Sequence, residues 1–134
     1  MHQKGGVKVK RLLLPLLTLL LLGSFSFFNG AFVGAQSDLW CSEIARAQSA
    51  AEARRWDEAA AILKGIDEDW QGCSTYFHIV IRHDEIDDAE GLLAETIAFA
   101  AEKNGAEFRA SASKLATQLR RLAEAEEFSI KNIL

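Results

Sequence analysis

The sequence predicts an all-α protein: an antiparallel four-helix bundle or two stacked helical hairpins after an N-terminal export segment. Apolar residues recur at helical spacing in four stretches between residues 38 and 127. The links between these stretches are short, which makes consecutive helices antiparallel neighbours. The single candidate for a strand, residues 76–81, is closely flanked by helical stretches. We therefore expect helices packed on helices around one core.

The first 35 residues have the composition of an export segment. Four basic side chains within residues 4–11 precede an apolar run from Leu12 to Leu22. The sequence Val33-Gly34-Ala35 then satisfies the small-residue rule for leader cleavage, which would leave residues 36–134 as the mature helical domain. The alternative is an uncleaved membrane anchor, because the 24 residues from Leu12 to Ala35 carry no formal charge and are long enough to span a bilayer.

Both alternatives place the helical domain outside the cytoplasm, because a basic flank keeps the N-terminus on the cytoplasmic side. We expect the domain to be secreted or anchored on the outer face of the cytoplasmic membrane. All 19 acidic residues and 11 of the 15 basic residues follow residue 35, so residues 36–134 carry a net charge of −8. An acidic domain of this kind lacks the basic surface that nucleic acid requires, and we expect no nucleic-acid partner.

The first two helices are predicted on either side of Arg54 and Arg55. Ser37 or Asp38 is expected to cap the first helix, which runs to about residue 54. Its apolar positions are Leu39, Trp40, Ile44, Ala47, Ala51 and Ala53. The second helix is expected to begin near Trp56 and to continue through residue 81 with a kink near Gly72; a break at residues 69–72 is the alternative.

The third and fourth helices are predicted from a change of register and from a stop signal. Asp84 is expected to cap the third helix. Asn104-Gly105 is expected to end it, with Gly105 in the left-handed conformation. The fourth helix is expected to span about residues 106–127. The remaining segment, residues 128–134, is unusually apolar for a terminus, and we expect it to fold back on the bundle rather than enter a partner.

Two cysteines lie in the part of the chain that would be exported, where a disulfide can persist. If the first two helices turn near residue 55, Cys41 lies opposite residue 69, and Cys73 lies about 6 Å further along the axis. We predict a Cys41–Cys73 disulfide. The alternative is two free thiols that pack as small apolar residues.

Polar clusters give little support to catalysis. His83, Asp84 and Asp88 are candidate metal ligands, but an N-cap at Asp84 with acidic neighbours that complement the helix dipole explains the same residues. Cys41 has no histidine near it in the sequence, and the chain has neither a Gly-rich phosphate loop nor a zinc-protease signature. We therefore expect neither an enzyme nor a cofactor.

Several short segments resemble one known family. They are Arg55-Trp56-Asp57-Glu58-Ala59, Asp69-Trp70, His83-Asp84-Glu85-Ile86-Asp87 and the closing Asn132-Ile133-Leu134, together with Trp40. The pattern resembles small exported or membrane-anchored helical proteins of Gram-positive bacteria that carry a domain of unknown function (DUF4363). The resemblance implies one helical domain after a hydrophobic segment and a membrane-protein partner, and it supplies no catalytic residues. It also favours the anchor.

These observations predict a non-enzymatic interaction protein at the outer face of the membrane. Its partner is expected to be a membrane protein or a second copy of the chain, and an uncleaved N-terminal segment would add the membrane itself. The expected contact residues are those of the apolar tail: Phe128, Ile130, Ile133 and Leu134. The alternative function is a metal- or small-ligand-binding sensor centred on residues 83–88.

Overall fold

The chain folds into four helices joined by links of two or three residues. The computed structural model describes the backbone of residues 4–133 and the side chains of residues 8–128, 131 and 132. The helices are α1 (Lys4–Glu52), α2 (Trp56–Val80), α3 (His83–Ala101) and α4 (Gly105–Ile133). The predicted all-α fold is confirmed.

The helices form a ring in which each packs against two neighbours. α1 packs against α2 and α4, and α3 packs against the same two helices. Because the links are short, neighbouring helices run antiparallel, as in an up-and-down four-helix bundle. The links after α1 and after α3 lie at one end of the bundle, and the link between α2 and α3 lies at the other.

The core is made by one apolar stripe from each helix. Trp40 of α1 packs against Trp70 and Phe77 of α2, with ring centroids 5.3 and 5.8 Å apart. Such aromatic contacts contribute beyond the area that they bury. Leu39, a predicted core residue, is 50% exposed, because it precedes Trp40 by one position and so lies about 100° away around the helix. The largest fully buried side chains are those of Trp40, Phe77, Phe108, Ile44, Leu63, Ile86, Leu115 and Thr96.

The first helix is far longer than the sequence predicted. It begins at Lys4 instead of near residue 37, because the Leu-rich run favours a helix and the single glycines at positions 23, 30 and 34 do not interrupt it. Ser37 is therefore not a cap. Its hydroxyl is buried inside the bundle and donates a hydrogen bond to the Leu119 carbonyl oxygen at 2.8 Å. The second helix is continuous through residues 69–72, as predicted over the alternative break.

The links differ in detail from their predicted chemistry. Arg82, not Asp84, precedes the first residue of α3, and Asp84 lies in the first turn, where the helix dipole still favours its charge. Lys103 takes the left-handed conformation with φ of 55°, whereas Gly105 already belongs to α4. The reason lies in Asn104, whose side-chain oxygen accepts a hydrogen bond from the Glu107 backbone N–H at 3.3 Å and so caps α4.

The predicted fold-back of residues 128–134 is wrong for the part that the structure describes. α4 continues without interruption to Ile133, six residues beyond the predicted end. No helix breaker follows Glu127, so adding further turns preserves the backbone hydrogen bonds of the existing helix.

The core stripes predict unequal costs for two leucine substitutions. Leu63→Ala should lower the free energy of unfolding by about 2–5 kcal/mol, because the side chain is 1% exposed and its removal leaves a cavity. Leu39→Ala is the matched control and should change it by less than about 1 kcal/mol. Denaturant unfolding of the detergent-solubilised chain, followed by circular dichroism, measures both. Equal losses would contradict the assignment of the two faces.

Candidate functional site

The exposed apolar part of α1 emerges from one end of the bundle, which we call the proximal end. Residues 12–28 form this apolar segment, whose leucines and phenylalanines are more than half exposed. An 18-residue window of α1 is apolar enough to cross a membrane by length and composition, and almost none of it is buried. The α2–α3 link and the last turns of α4 lie at the same end. The proximal end thus combines three helices with an uncovered apolar segment.

A partly buried polar network ties α1, α2 and α4 together at this end. Asn29 of α1 is 7% exposed and donates from Nδ2 to the Glu126 Oε2 atom of α4 at 2.7 Å. The Tyr76 hydroxyl of α2 donates to the Oδ1 atom of the same asparagine. Asn29 therefore fixes the height of α2 and α4 relative to α1. Sequence reasoning missed this asparagine, which lies within the predicted leader.

Burial changes the acidity of the network. Desolvation raises the pKa of Glu126, and the nearby Glu85 carboxylate raises it further, while the hydrogen bond from Asn29 acts in the opposite direction. Desolvation also raises the pKa of Tyr76, with a smaller contribution from Glu126. The net effect favours the protonated form of Glu126 in the folded chain, although its hydrogen bond from Asn29 favours the carboxylate.

An open groove of 560 Å³ lies between α1 and α4 just above the apolar segment. On α1 it is lined by small residues, among them Gly30 and Gly34, and a Cβ built on Gly34 would meet nothing within 4 Å. On α4 it is lined by Ala123 and by side chains of both charges. The remaining lining residues are Phe27, Ala31, Ser37, Asp38, Arg120, Glu124, Glu127 and Lys131. The groove can accept an extended or helical apolar ligand bordered by polar groups.

The α2–α3 link brings together residues that appear unrelated in the sequence. The rings of His78 and His83 lie 5.7 Å apart, although the two residues are five positions apart and do not share a helix face. The Glu90 Oε1 atom lies 3.6 Å from His78 Nε2 and accepts a hydrogen bond from Trp70 Nε1 at 3.0 Å. Sequence spacing could not indicate this pair, because the direction of the chain reverses between its members.

The three candidate metal ligands are not gathered into one site. Asp84 pairs with Arg82 at 3.1 Å, and both Asp84 and Asp88 are exposed. Among the described residues, no group of three histidine, cysteine or acidic side chains is arranged to hold a metal ion. His83 instead approaches His78.

The predicted Cys41–Cys73 disulfide is not present, and both thiols are free and half-buried. Cys41 follows Trp40 by one position, so it faces α4 when the tryptophan faces α2. Its Sγ lies 3.6 Å from the Ala116 carbonyl oxygen. Burial raises the pKa of the Cys41 thiol despite the opposing effect of Arg120, which leaves the thiol less reactive at neutral pH.

Of the four predicted contact residues in the tail, one has a described side chain. Phe128 is 65% exposed and lies on α4 at the proximal end. The side chains of Ile130 and Ile133, and all of Leu134, lie outside the described part of the chain.

Replacing Glu126 should change how stability depends on pH. Its folded-state pKa lies above the ordinary value of 4.5, so the folded chain binds more protons, and stability falls as pH rises from 4.5 through the raised pKa. Glu126→Gln should remove this decline and raise the melting temperature at neutral pH, because the amide oxygen can still accept from Asn29. Melting temperatures of the solubilised full chain, measured across this range, test it.

The exposed neighbour Glu127 supplies the control for that experiment. Glu127→Gln removes the same charge from the same helix and should retain the wild-type dependence on pH, since Glu127 is 70% exposed. Equal slopes for wild type and Glu126→Gln would contradict the role of Glu126 burial.

Comparison with known proteins identifies a family. A family model described as a domain of unknown function (DUF4363) matches residues 31–133. No curated protein and no solved structure matches the chain. The matched region begins within α1 at the proximal end and includes α2, α3 and α4. The chain therefore belongs to the DUF4363 family.

Proposed function

We propose that this protein is an anchored, non-enzymatic interaction module whose helical bundle stands on the outer face of the cytoplasmic membrane and binds a membrane protein. The observation that carries the proposal is the continuity of α1, in which an exposed apolar segment and a bundle helix form one uninterrupted rod. The basic residues before the segment favour a cytoplasmic N-terminus and place the bundle outside.

Contacts made by residues 29–35 favour an anchor over a cleaved leader. Cleavage after Ala35 would remove Asn29 from its network and Phe32 from the Tyr76 ring, whose centroid lies 5.4 Å away. It would also remove Val33, which is 3% exposed. The family match begins at residue 31, so Phe32 and Val33 fall within the matched region, which supports an anchor over a cleaved leader.

The groove between α1 and α4 is the proposed binding site for the partner, and its occupant is a membrane-spanning helix of that protein. The groove follows directly on the apolar segment, so a helix lying beside that segment in the bilayer would continue into it. Small residues permit close approach of helices where no hydrophobic effect drives association. Asp38 and Arg120 at the upper end of the groove can pair with polar groups where the partner helix leaves the bilayer.

Anchoring predicts an uncleaved product in the membrane fraction. Its intact mass should include residues 1–35, because the cleavage sequence lies in a helix packed against α4. Ala35→Leu is the control: it blocks cleavage wherever cleavage occurs, and here it should alter the mass only by the added side-chain atoms. A soluble product that begins at Gln36, with only the Ala35→Leu chain retained in membranes, would contradict the anchor.

Crosslinking within cells tests the groove. A photoreactive amino acid at Ala123 should give an adduct with a separate membrane protein, whereas one at exposed Ala61 on α2 should not. Gly34→Leu fills the groove and should abolish the adduct. Gly65→Leu is its match, since Gly65 is also helical with nothing within 4 Å of an added Cβ, and it should have no effect. An adduct with twice the mass of the chain would favour self-association instead.

A further inference from the structure

The proximal end of the bundle lies so close to the apolar segment that it would contact any bilayer which that segment crosses. Residues 12–28 number 17, which as a helix measure about 26 Å, whereas the hydrocarbon core of a bilayer is about 30 Å thick. A span of about 20 residues from Leu12 ends near Ala31, where α1 already runs beside the bundle, since Asn29 is hydrogen-bonded to α4. Because α1 has no linker between the two parts, crossing the bilayer draws the bundle down onto the headgroup layer.

The hydrogen bonds of Asn29 show which residues of α2 and α4 would lie at the level of the bilayer surface. Tyr76 and Glu126 lie at the height of Asn29, to which both are hydrogen-bonded. α2 continues four residues beyond Tyr76, about 6 Å further toward the apolar segment. α4 continues seven residues beyond Glu126, about 10 Å in the same direction. The last turns of both helices thus lie beside the upper part of the apolar segment.

The side chains on these last turns have the chemistry of a membrane interface. Ile79 of α2 is 78% exposed and Phe128 of α4 is 65% exposed. Arg82 and Lys131 are exposed nearby and can reach lipid phosphates. Each cation has an acidic neighbour, since Asp84 lies 3.1 Å from Arg82 and Glu127 lies 3.8 Å from Lys131, and a lipid phosphate would have to replace these exposed ion pairs, which contribute little to stability.

We propose that this surface, defined by Ile79, Arg82, Phe128 and Lys131, is a lipid-binding surface seated in the headgroup layer of the bilayer that α1 crosses. Ile79 and Phe128 contact the upper acyl chains. Arg82 and Lys131 follow them by three positions toward the bilayer centre, and their long side chains extend back along the protein surface to the phosphates. This proposal rests on the anchoring proposed above. The α2–α3 link and the end of α4 then bind the lipid bilayer and not another protein. The bundle is then held by three helices instead of tilting freely about one.

Spin labelling of the full chain in phospholipid vesicles tests whether this surface contacts lipid. In a background with Cys41→Ser and Cys73→Ser, single cysteines are introduced by Ile79→Cys, Phe128→Cys, Leu20→Cys and Glu102→Cys and labelled with a nitroxide. Leu20 reports the apolar segment, and Glu102 reports the far end of the bundle. For each label, the collision rate with oxygen, which concentrates in lipid, is compared with the collision rate with a water-soluble nickel chelate. Circular dichroism checks that each variant keeps its helices.

The proposed placement predicts that the ratio of oxygen to nickel accessibility at positions 79 and 128 lies between the values at positions 20 and 102 and is several-fold above the value at position 102. If labels at positions 79 and 128 have the same accessibility as the label at position 102 while the label at position 20 remains in lipid, the anchor is supported and the lipid-binding surface is contradicted. If the label at position 20 is itself accessible to the nickel chelate, both the membrane anchor and the lipid-binding surface are contradicted.

Discussion

The alignment of α1 with α4 is the constraint on which the rest of this structure depends. Three contacts set it along the two helices: Asn29 with Glu126, Ser37 with the Leu119 carbonyl, and Cys41 with the Ala116 carbonyl. Polar groups buried between helices fix register more strictly than apolar ones, because a shift of one residue would leave them without partners. This register decides where the apolar segment leaves the bundle and which residues of α4 accompany it.

The helical stripes could be predicted from sequence because each reports a local property. Each helix has one apolar stripe at helical spacing. Ile44, Leu63, Leu93 and Leu115 belong to the four stripes, one to each helix, and all are buried. The polar contacts could not, since they join positions up to 97 residues apart and their members carry no pattern of their own. Asn29 illustrates the point: in the sequence it dilutes an apolar leader, whereas in the fold it holds three helices together.

The cysteines and the tail show where local pattern was an insufficient guide. The predicted disulfide is not confirmed, since both thiols are free in the structure. The predicted disulfide followed from axial height alone, and height does not specify the direction that a side chain takes around its helix. Cys41 has a suitable height but faces α4. The tail was expected to fold back because apolar termini are unusual in water. The anchoring proposed above would remove that reason, since an apolar helix end beside a bilayer would not need to be hidden within the protein.

Burial within the bundle raises the pKa of Glu126 and so favours its neutral form, which would be tolerated at the position beside a membrane proposed above. A carboxyl group flanked by Asn29 and Tyr76 retains hydrogen bonds in either protonation state, so the network can remain intact as local polarity falls. An aspartate or lysine without such partners would be costly at this height. In the proposed arrangement, the partly buried polar contacts lie where α1 would pass from an apolar surrounding to a polar one, and a rigid junction there would transmit the orientation of the anchor directly to the groove. A partner helix packed against α1 would therefore meet the groove at a fixed height and angle, which a flexible linker could not provide.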